Sequence, residues 1–217
     1  MLRYLLQVLK DKLCLRQSKE SYSQLGEDLV LDPLLAELSK GVYVDVGSNH
    51  PMVYSNTYKL YLKGWQGLCV DPNASFSPLY AQHRPRDTFL NYAISNEEGA
   101  LKFHLYEDDR VSHIGDGKNV PAGVQVLDVQ AKKLNSILQE QGVEKDFNLL
   151  NIDVEGHEME VLKSLDFEYY SPGIILVEIH HMDFEKLSEC EIYQYLIKRN
   201  YELIALNLIT AFFRKKV

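Results

Sequence analysis

Cysteine is scarce. Cys14, Cys69 and Cys190 are the three among 217 residues, and no two stand at a metal-ligand spacing. An odd, sparse set argues against a disulfide framework and for a reducing compartment, so the expected location is the cytoplasm. No apolar run approaches the ~18 residues that a membrane span needs. The opening stretch, MLRYLLQVLKDKLCLRQSKE, is rich in leucine, but Arg3, Lys10, Asp11, Lys12, Arg16 and Lys19 interrupt any signal-peptide core. Residues 1–21 are therefore expected to form an amphipathic helical extension that caps the domain, an interfacial or partner contact being the alternative. Positive charge is in deficit as well: the formal net charge is −8, which disfavours nucleic acid or an anionic membrane as the main partner. Internal repeats, low-complexity tracts and a GxGxxG loop are all missing. The HEMEV stretch is no zinc-protease motif, because Val161 occupies the place of the second histidine.

What is present is an ordinary globular composition, 46% hydrophobic and 25% charged, with no linker that would divide residues 22–217. Strand-like and helix-like stretches alternate, which predicts a mostly parallel sheet with helices on both faces. QLGEDLVL predicts a short helix, and Asp32-Pro33 caps a second one through Leu38. GVYVDV, GLCVD (67–71), TFLNYAI (88–94), FNLLNIDV (147–154) and GIILVEI (173–179) are the expected core strands. GALKFHLYEDD adds an extended excursion. Residues 107–123 are expected to be a long polar loop that covers an acceptor, loosened by Gly115, Gly117 and Gly123. The C-terminal YELIALNLITAFFRKK predicts an antiparallel hairpin.

Ligands of open α/β sheets sit at the carboxyl ends of the strands. Three expected strands end in acids there, Asp45, Asp71 and Asp153, and a fourth delivers Glu178 and His180. One acid at a strand end is usually just solvated, but four such clusters suggest a site. Asp71 follows Gly47 by 24 positions, close to the ~20 at which dinucleotide folds set an acid on ribose hydroxyls. A carboxylate suits a vicinal diol, since it accepts two hydrogen bonds at once. The loop itself, Gly-Ser-Asn-His-Pro, is no pyrophosphate cradle. A nucleoside without phosphates, carrying positive charge, would need the acids but not the cradle, and S-adenosylmethionine has those properties.

The stretches SQLGEDLVL (23–31), YVDVGSNHP (43–51), SNTYKLYLKGWQGLCVDPN (55–73), NYAISNEEG (91–99) and LLNIDVEGHEMEVL (149–162) resemble, in this order, the FkbM family of methyltransferases. The resemblance covers roughly residues 22–215. It implies a class I methyltransferase fold, a Rossmann-like seven-stranded sheet whose last strand is antiparallel, with S-adenosylmethionine as methyl donor and a hydroxyl of a sugar, polyketide or related small molecule as acceptor. Ser48 stands where the family commonly has alanine, and Asp71 where many members have glutamate. On this pattern Asp45, Gly47, Ser48 and Asn49 line the amino-acid end of the donor, and Asp71, with Pro72 and Asn73 beside it, holds the ribose. Ala93 and Ile94 lie near the adenine, and Asp153 and Glu155 lie beside the methyl group. Gln24, Glu27, Asn56 and Glu178 are the expected substrate-side residues. His157 has either a catalytic or a purely local helix-opening role.

An alcohol is a poor nucleophile near neutral pH, so a base at the fourth and fifth strand ends is expected. His180 is the first choice and His181 the second, with Asp153 and Glu155 beside them. The same ligands could instead hold magnesium or manganese. Two other readings stay open at this point: a nicotinamide-dependent oxidoreductase, disfavoured by the missing glycine fingerprint, and a non-catalytic nucleoside-binding scaffold.

Overall fold

The computed structural model describes residues 2–12, 19–118, 120–180 and 183–216. Helix α1 covers Leu2–Lys12, and its Leu2, Leu5, Leu6 and Leu9 side chains are exposed. Helix α2 (Glu27–Leu34) replaces the two helices expected there. Pro33 lies inside its last turn, and the helix ends one residue later, as the missing N–H and bulky ring dictate. The chain then runs through β1 (Val42–Val46), α3 (Tyr58–Leu62), β2 (Gln66–Val70), α4 (Ser77–His83) and β3 (Thr88–Leu90). Four strands follow: β4 (Ala93–Ile94), β5 (Gly99–Leu105), β6 (His113–Gly115) and β7 (Gln125–Lys132). The rest is α5 (Leu134–Glu140), β8 (Leu149–Ile152), α6 (Glu158–Lys163), β9 (Ile174–Glu178), α7 (Glu191–Ile197), β10 (Tyr201–Asn207) and β11 (Thr210–Lys215). No helix among the described residues is long and apolar enough to cross a membrane.

The main sheet has seven strands in the order β10-β11-β9-β8-β1-β2-β3. Neighbours from β9 to β3 are parallel, and β11 inserts antiparallel between β9 and β10. Strand order reverses between β1 and β8, which puts a crevice at their carboxyl ends. Side-chain alternation covers both faces. Val44, Val46, Leu150, Ile152, Ile175 and Val177 pack against α5, α6 and α7 through Ile137, Leu138, Val161, Leu162 and Leu196. Tyr43, Cys69, Leu149, Leu176 and Phe212 pack on the other side with Leu31, Leu60, Tyr61 and Tyr80 from α2, α3 and α4. Each such side chain taken out of water contributes roughly 1.5–3 kcal/mol.

A buried polar layer interrupts the second face. Asp45 falls there by strand parity, accepting from Thr57 Oγ1 at 2.5 Å and from Asn151 Nδ2 at 2.8 Å. Arg84, fully buried, donates to Thr57 Oγ1, to the Tyr43 hydroxyl at 2.8 Å and to Asp87 at 2.6 Å. Its guanidinium also lies over the rings of Tyr43, Tyr61 and Tyr80. Burial alone would raise Asp45, and the Arg84 charge with the two side-chain donors opposes that. Asp45 therefore does not end a strand toward solvent, as the sequence suggested, but lies inside β1 and organises the layer beneath α3.

The expected third strand, 88–94, is two. The ladder from β2 ends with the Asp71 amide on the Leu90 carbonyl, and the Asn91 side chain caps the Asp71 carbonyl at 2.9 Å. The chain then leaves for a second sheet, ordered β4-β7-β5-β6, which the sequence reading did not anticipate. Residues 107–123 are correspondingly not one polar loop, because a 3-10 turn (Asp109–Val111) and β6 occupy their first half. Strand β6 pairs antiparallel with Lys102–His104 of β5. Gly115 is required by packing rather than looseness: a Cβ there would come within 2.4 Å of the His104 ring.

Candidate active site

The crevice between β1 and β8 depends on one glycine. Gly47 has φ +77°, and a Cβ on it would lie 1.7 Å from the Asp153 carbonyl oxygen. The backbones leaving the two strands cross at contact distance, which only a residue without a side chain allows. The Gly47 amide donates to Val70 O at 2.9 Å and the Asp153 amide to Val46 O at 3.0 Å, so three strand ends are tied at one point. The glycine serves the crossing of two strands; no phosphate cradle is involved.

Asp71 is the first residue beyond β2 and is 6% exposed. Its Oδ2 accepts the Asn49 amide at 2.9 Å and its Oδ1 the Asn73 amide at 2.8 Å. Burial pushes this carboxyl up to about 7, with the two backbone donors acting against the shift. Asn49 is itself left-handed, φ +47°, a conformation that asparagine tolerates better than most residues. Asn73 caps the following 3-10 turn through Ser75.

These ends open on a cavity with about 810 Å³ of empty space, the open mouth and its solvent included. Gly47, Asn49, Asp71, Pro72 and Asn73 line one side. Ala93, Ile94, Tyr92 and Phe103 make an apolar wall contributed by the junction of the two sheets. Asp153, Glu155 and His157 line the β8 side, and Gln24 reaches it from the segment before α2. Tyr54, Asp109, Arg110 and His113 close the top, the last three from the 107–123 segment expected to cover an acceptor. His113 is placed by β6 pairing with β5, and the alternating LKFHLY stretch is the local sign of that pairing in the sequence.

Other predicted residues lie elsewhere. Asp45 and Asn56 do not line the cavity; Asn56 Nδ2 donates to Asn151 Oδ1 at 3.1 Å within the buried polar layer. Glu27 is buried, accepting from the Leu25 amide and Thr210 Oγ1. Asp28 gathers Ser21 Oγ, the Tyr22 amide and Ser23 Oγ, so the SQLGED motif is in large part a local capping network. Ser48 Oγ is buried without a hydrogen-bond partner. His157 Nε2 lies 3.1 Å from Ser95 Oγ, and burial lowers its basicity.

Beyond the cavity's β8 side, acids converge. Burial first, and the adjacent Glu178 second, hold Asp153 well above the usual carboxylate range. Burial likewise raises Glu178, whose carboxyl lies close enough to that of Asp153 for each to act on the other. His180 Nε2 is 3.3 Å from Glu155 Oε2 and 3.3 Å from Glu178 Oε2. Glu155 is left-handed at φ +54° and raised by burial, with His180 opposing. Glu178 and His180 stand behind Glu155 rather than lining the cavity. His181 lies outside the described residues.

A sheet of this order, with its antiparallel strand between the last parallel strand and the edge, and with a crevice of this lining at its carboxyl ends, is the fold of class I methyltransferases. Residues 45–203 match the methyltransferase FkbM domain, and the chain belongs to that family. It is similar to the hexuronic acid methyltransferase AglP of Haloferax volcanii, at 28% identity over 163 residues. That match covers 71% of this chain and 63% of the relative, so the chain spans less than two thirds of that protein's length. Among solved structures, it is similar to a Burkholderia thailandensis 1,6-didemethyltoxoflavin-N1-methyltransferase holding 1,6-didemethyltoxoflavin and S-adenosylhomocysteine. The TM-score is 0.47 and the identity 11%, over 88% of this chain and 77% of that one. A TehB-like methyltransferase from Corynebacterium glutamicum has a TM-score of 0.45 at 13% identity, over 97% and 96% of the two chains.

Proposed function

We propose that this protein methylates a hydroxyl of a small acidic sugar or glycan, with S-adenosylmethionine as donor. The observation that carries the reading is the cavity itself, in which a ribose-type acid, an apolar slot and a cluster of acids follow one another along the carboxyl edge. The residues fit the donor's parts in that order. Asp71 has a free lone pair on each oxygen for a ribose hydroxyl, beyond those used by Asn49 and Asn73. Ala93, Ile94 and Phe103 suit an adenine, and Gly47 and Asn49 face the amino-acid end. Asp153 and Glu155 suit a region of positive charge.

When bound, S-adenosylmethionine supplies an electrophilic methyl group on a positively charged sulfur. The chain's own task is to hold the acceptor oxygen in line and exclude water, which can contribute several kcal/mol. Asp153 and Glu155 are the members of the acid cluster that line the cavity, and His180 stands 3.3 Å behind Glu155 to take up the proton. A positioned base of this kind adds about 10²–10⁴-fold.

The acidic acceptor is inferred from the top of the cavity. Arg110 is the sole lysine or arginine lining it among the described residues, its guanidinium 4.7 Å from the Tyr54 ring centre. Asp108 already holds its Nε at 2.8 Å and its Nη2 at 2.6 Å, so an acceptor carboxylate would meet the guanidinium at Nη1 or take the place of Asp108, and the similarity to a hexuronic acid methyltransferase agrees with that choice. Methyl transfer from labelled donor to uronate-containing and neutral glycans, followed by mass spectrometry, tests the reading. Arg110→Ala should raise KM for the uronate acceptor about tenfold and leave S-adenosylhomocysteine affinity unchanged. Absence of S-adenosylhomocysteine binding at millimolar concentration, or equal transfer to neutral sugars, would overturn the donor or the acceptor part respectively.

A further inference from the structure

We infer that Glu155, Glu178 and His180 form a binding site for a divalent cation of the magnesium–manganese class at the inner edge of the cavity. The inference deepens the methyl-transfer reading and rests on it for its role, though not for its test. One ligand atom from each of the three side chains lies within 4.8 Å of the others. The two closest separations, His180 Nε2 to each glutamate Oε2, are 3.3 Å. Bonds of about 2.1 Å around an octahedral ion put neighbouring ligands about 3.0 Å apart and opposite ones about 4.2 Å apart. A contraction of a few tenths of an ångström would therefore seat the ion.

A second observation is independent of that clustering. Glu178 is 8% exposed, and its Oε2 makes no hydrogen bond; its near neighbour is the same imidazole nitrogen. A buried carboxylate oxygen left in that state is costly unless a charge of opposite sign approaches it. Asp153 and Glu155 add two more acids to the corner, and among the described residues no lysine or arginine pairs with any of the three. A cation would satisfy Oε2, separate the crowded carboxylates and leave open positions directed past Glu155, the ligand that also lines the cavity. Two carboxylates and one imidazole are a hard, mixed oxygen–nitrogen set, suited to manganese and acceptable to magnesium. A hydroxyl bound at an open position would have its pKa lowered, so that it gives up its proton more readily as the methyl transfers. The O–CH3 bond then forms as the S–CH3 bond breaks, the electron pair returns to sulfur, and the hydroxyl proton leaves to solvent.

The test is a manganese titration of the full chain after EDTA treatment, followed by electron paramagnetic resonance, with and without S-adenosylhomocysteine. One bound Mn2+ per chain is expected. Glu178→Gln, Glu155→Gln and His180→Ala should each weaken it at least tenfold with circular dichroism near that of the parent, and the Glu178 and His180 variants, which lie outside the cavity lining, should also keep the parent's S-adenosylhomocysteine affinity. Methyl transfer should fall in EDTA and return with Mn2+ or Mg2+. No bound Mn2+ at millimolar concentration, or binding indifferent to all three substitutions, would overturn the site. Full transfer in EDTA would also overturn it, leaving Glu155 and His180 as a metal-free base and the donor reading intact. Loss of S-adenosylhomocysteine binding in the unaltered protein would defeat the donor reading alone, since the manganese signal is read without that ligand too.

Discussion

Replacing Asp71 by alanine separates two roles of one carboxylate. On the structural side, the substitution strands the amides of Asn49 and Asn73, both now bound within 2.9 Å. An unsatisfied buried donor costs about 1–3 kcal/mol, so the pair costs roughly 2–6 kcal/mol of stability. Against this stands relief, because burial has pushed the Asp71 carboxyl up to about 7 from an ordinary 3.8. The folded value is above the unfolded one, so the group's contribution is fully present below about pH 4 and is lost as pH rises through about 7. The parent protein should thus lose stability between those values at up to ~1.4 kcal/mol per pH unit, and the alanine variant should lack that component. Its destabilisation is therefore large at pH 5 and small at pH 8. On the binding side, two charge-assisted hydrogen bonds to ribose are lost, roughly 3–6 kcal/mol or 10²–10⁴-fold in affinity. Urea unfolding at both pH values and calorimetry with S-adenosylhomocysteine at pH 8 measure the two effects. Equal destabilisation at pH 5 and 8 would refute the burial-shifted carboxylate. Unchanged affinity in the folded variant would refute the ribose contact.

Two further substitutions probe the frame around the site. Gly47→Ala puts a methyl 1.7 Å from the Asp153 carbonyl oxygen and forces alanine to φ +77°. The left-handed conformation costs about 1–2 kcal/mol and the overlap about 1–3 kcal/mol more, so a melting temperature equal to the parent's would contradict the crossing described here. Arg84→Met leaves Asp87 charged in a fully buried place and should cost about 3–5 kcal/mol in urea unfolding, whereas a loss under 1 kcal/mol would mean that the polar layer adds little.

The sequence made the main sheet legible because its signals are local. Apolar runs such as GLCV and GIILV, stopped by glycine and acids, mark buried parallel strands without reference to the rest of the chain. Nothing local marked β7, half of whose residues are exposed and whose pairing joins Gly99 to Ala131. The polar run 107–123 suggested a cover over an acceptor, but without β7 and β6 nothing marked which of its residues, Arg110 and His113 among them, would face the cavity. The acids are the instructive case, since composition treats them alike and strand geometry does not. Asp45 lies one residue inside the end of β1, where alternation turns it away from Val44 and Val46 and into the layer beneath α3. Asp71 and Asp153 are each the first residue after a strand, free of the pleat, and both face the cavity. Glu178 is the last residue of β9, still held by the sheet, and stands behind the site with His180. Counting from the strand's last paired residue therefore assigns these acids different tasks: scaffold inside the strand, ligand contact just beyond it, and a shared buried charge at its last rung. The parity of Asp45 was present in VYVDV from the start, because every second residue of a strand shares a face, and Asp45 shares its face with Tyr43.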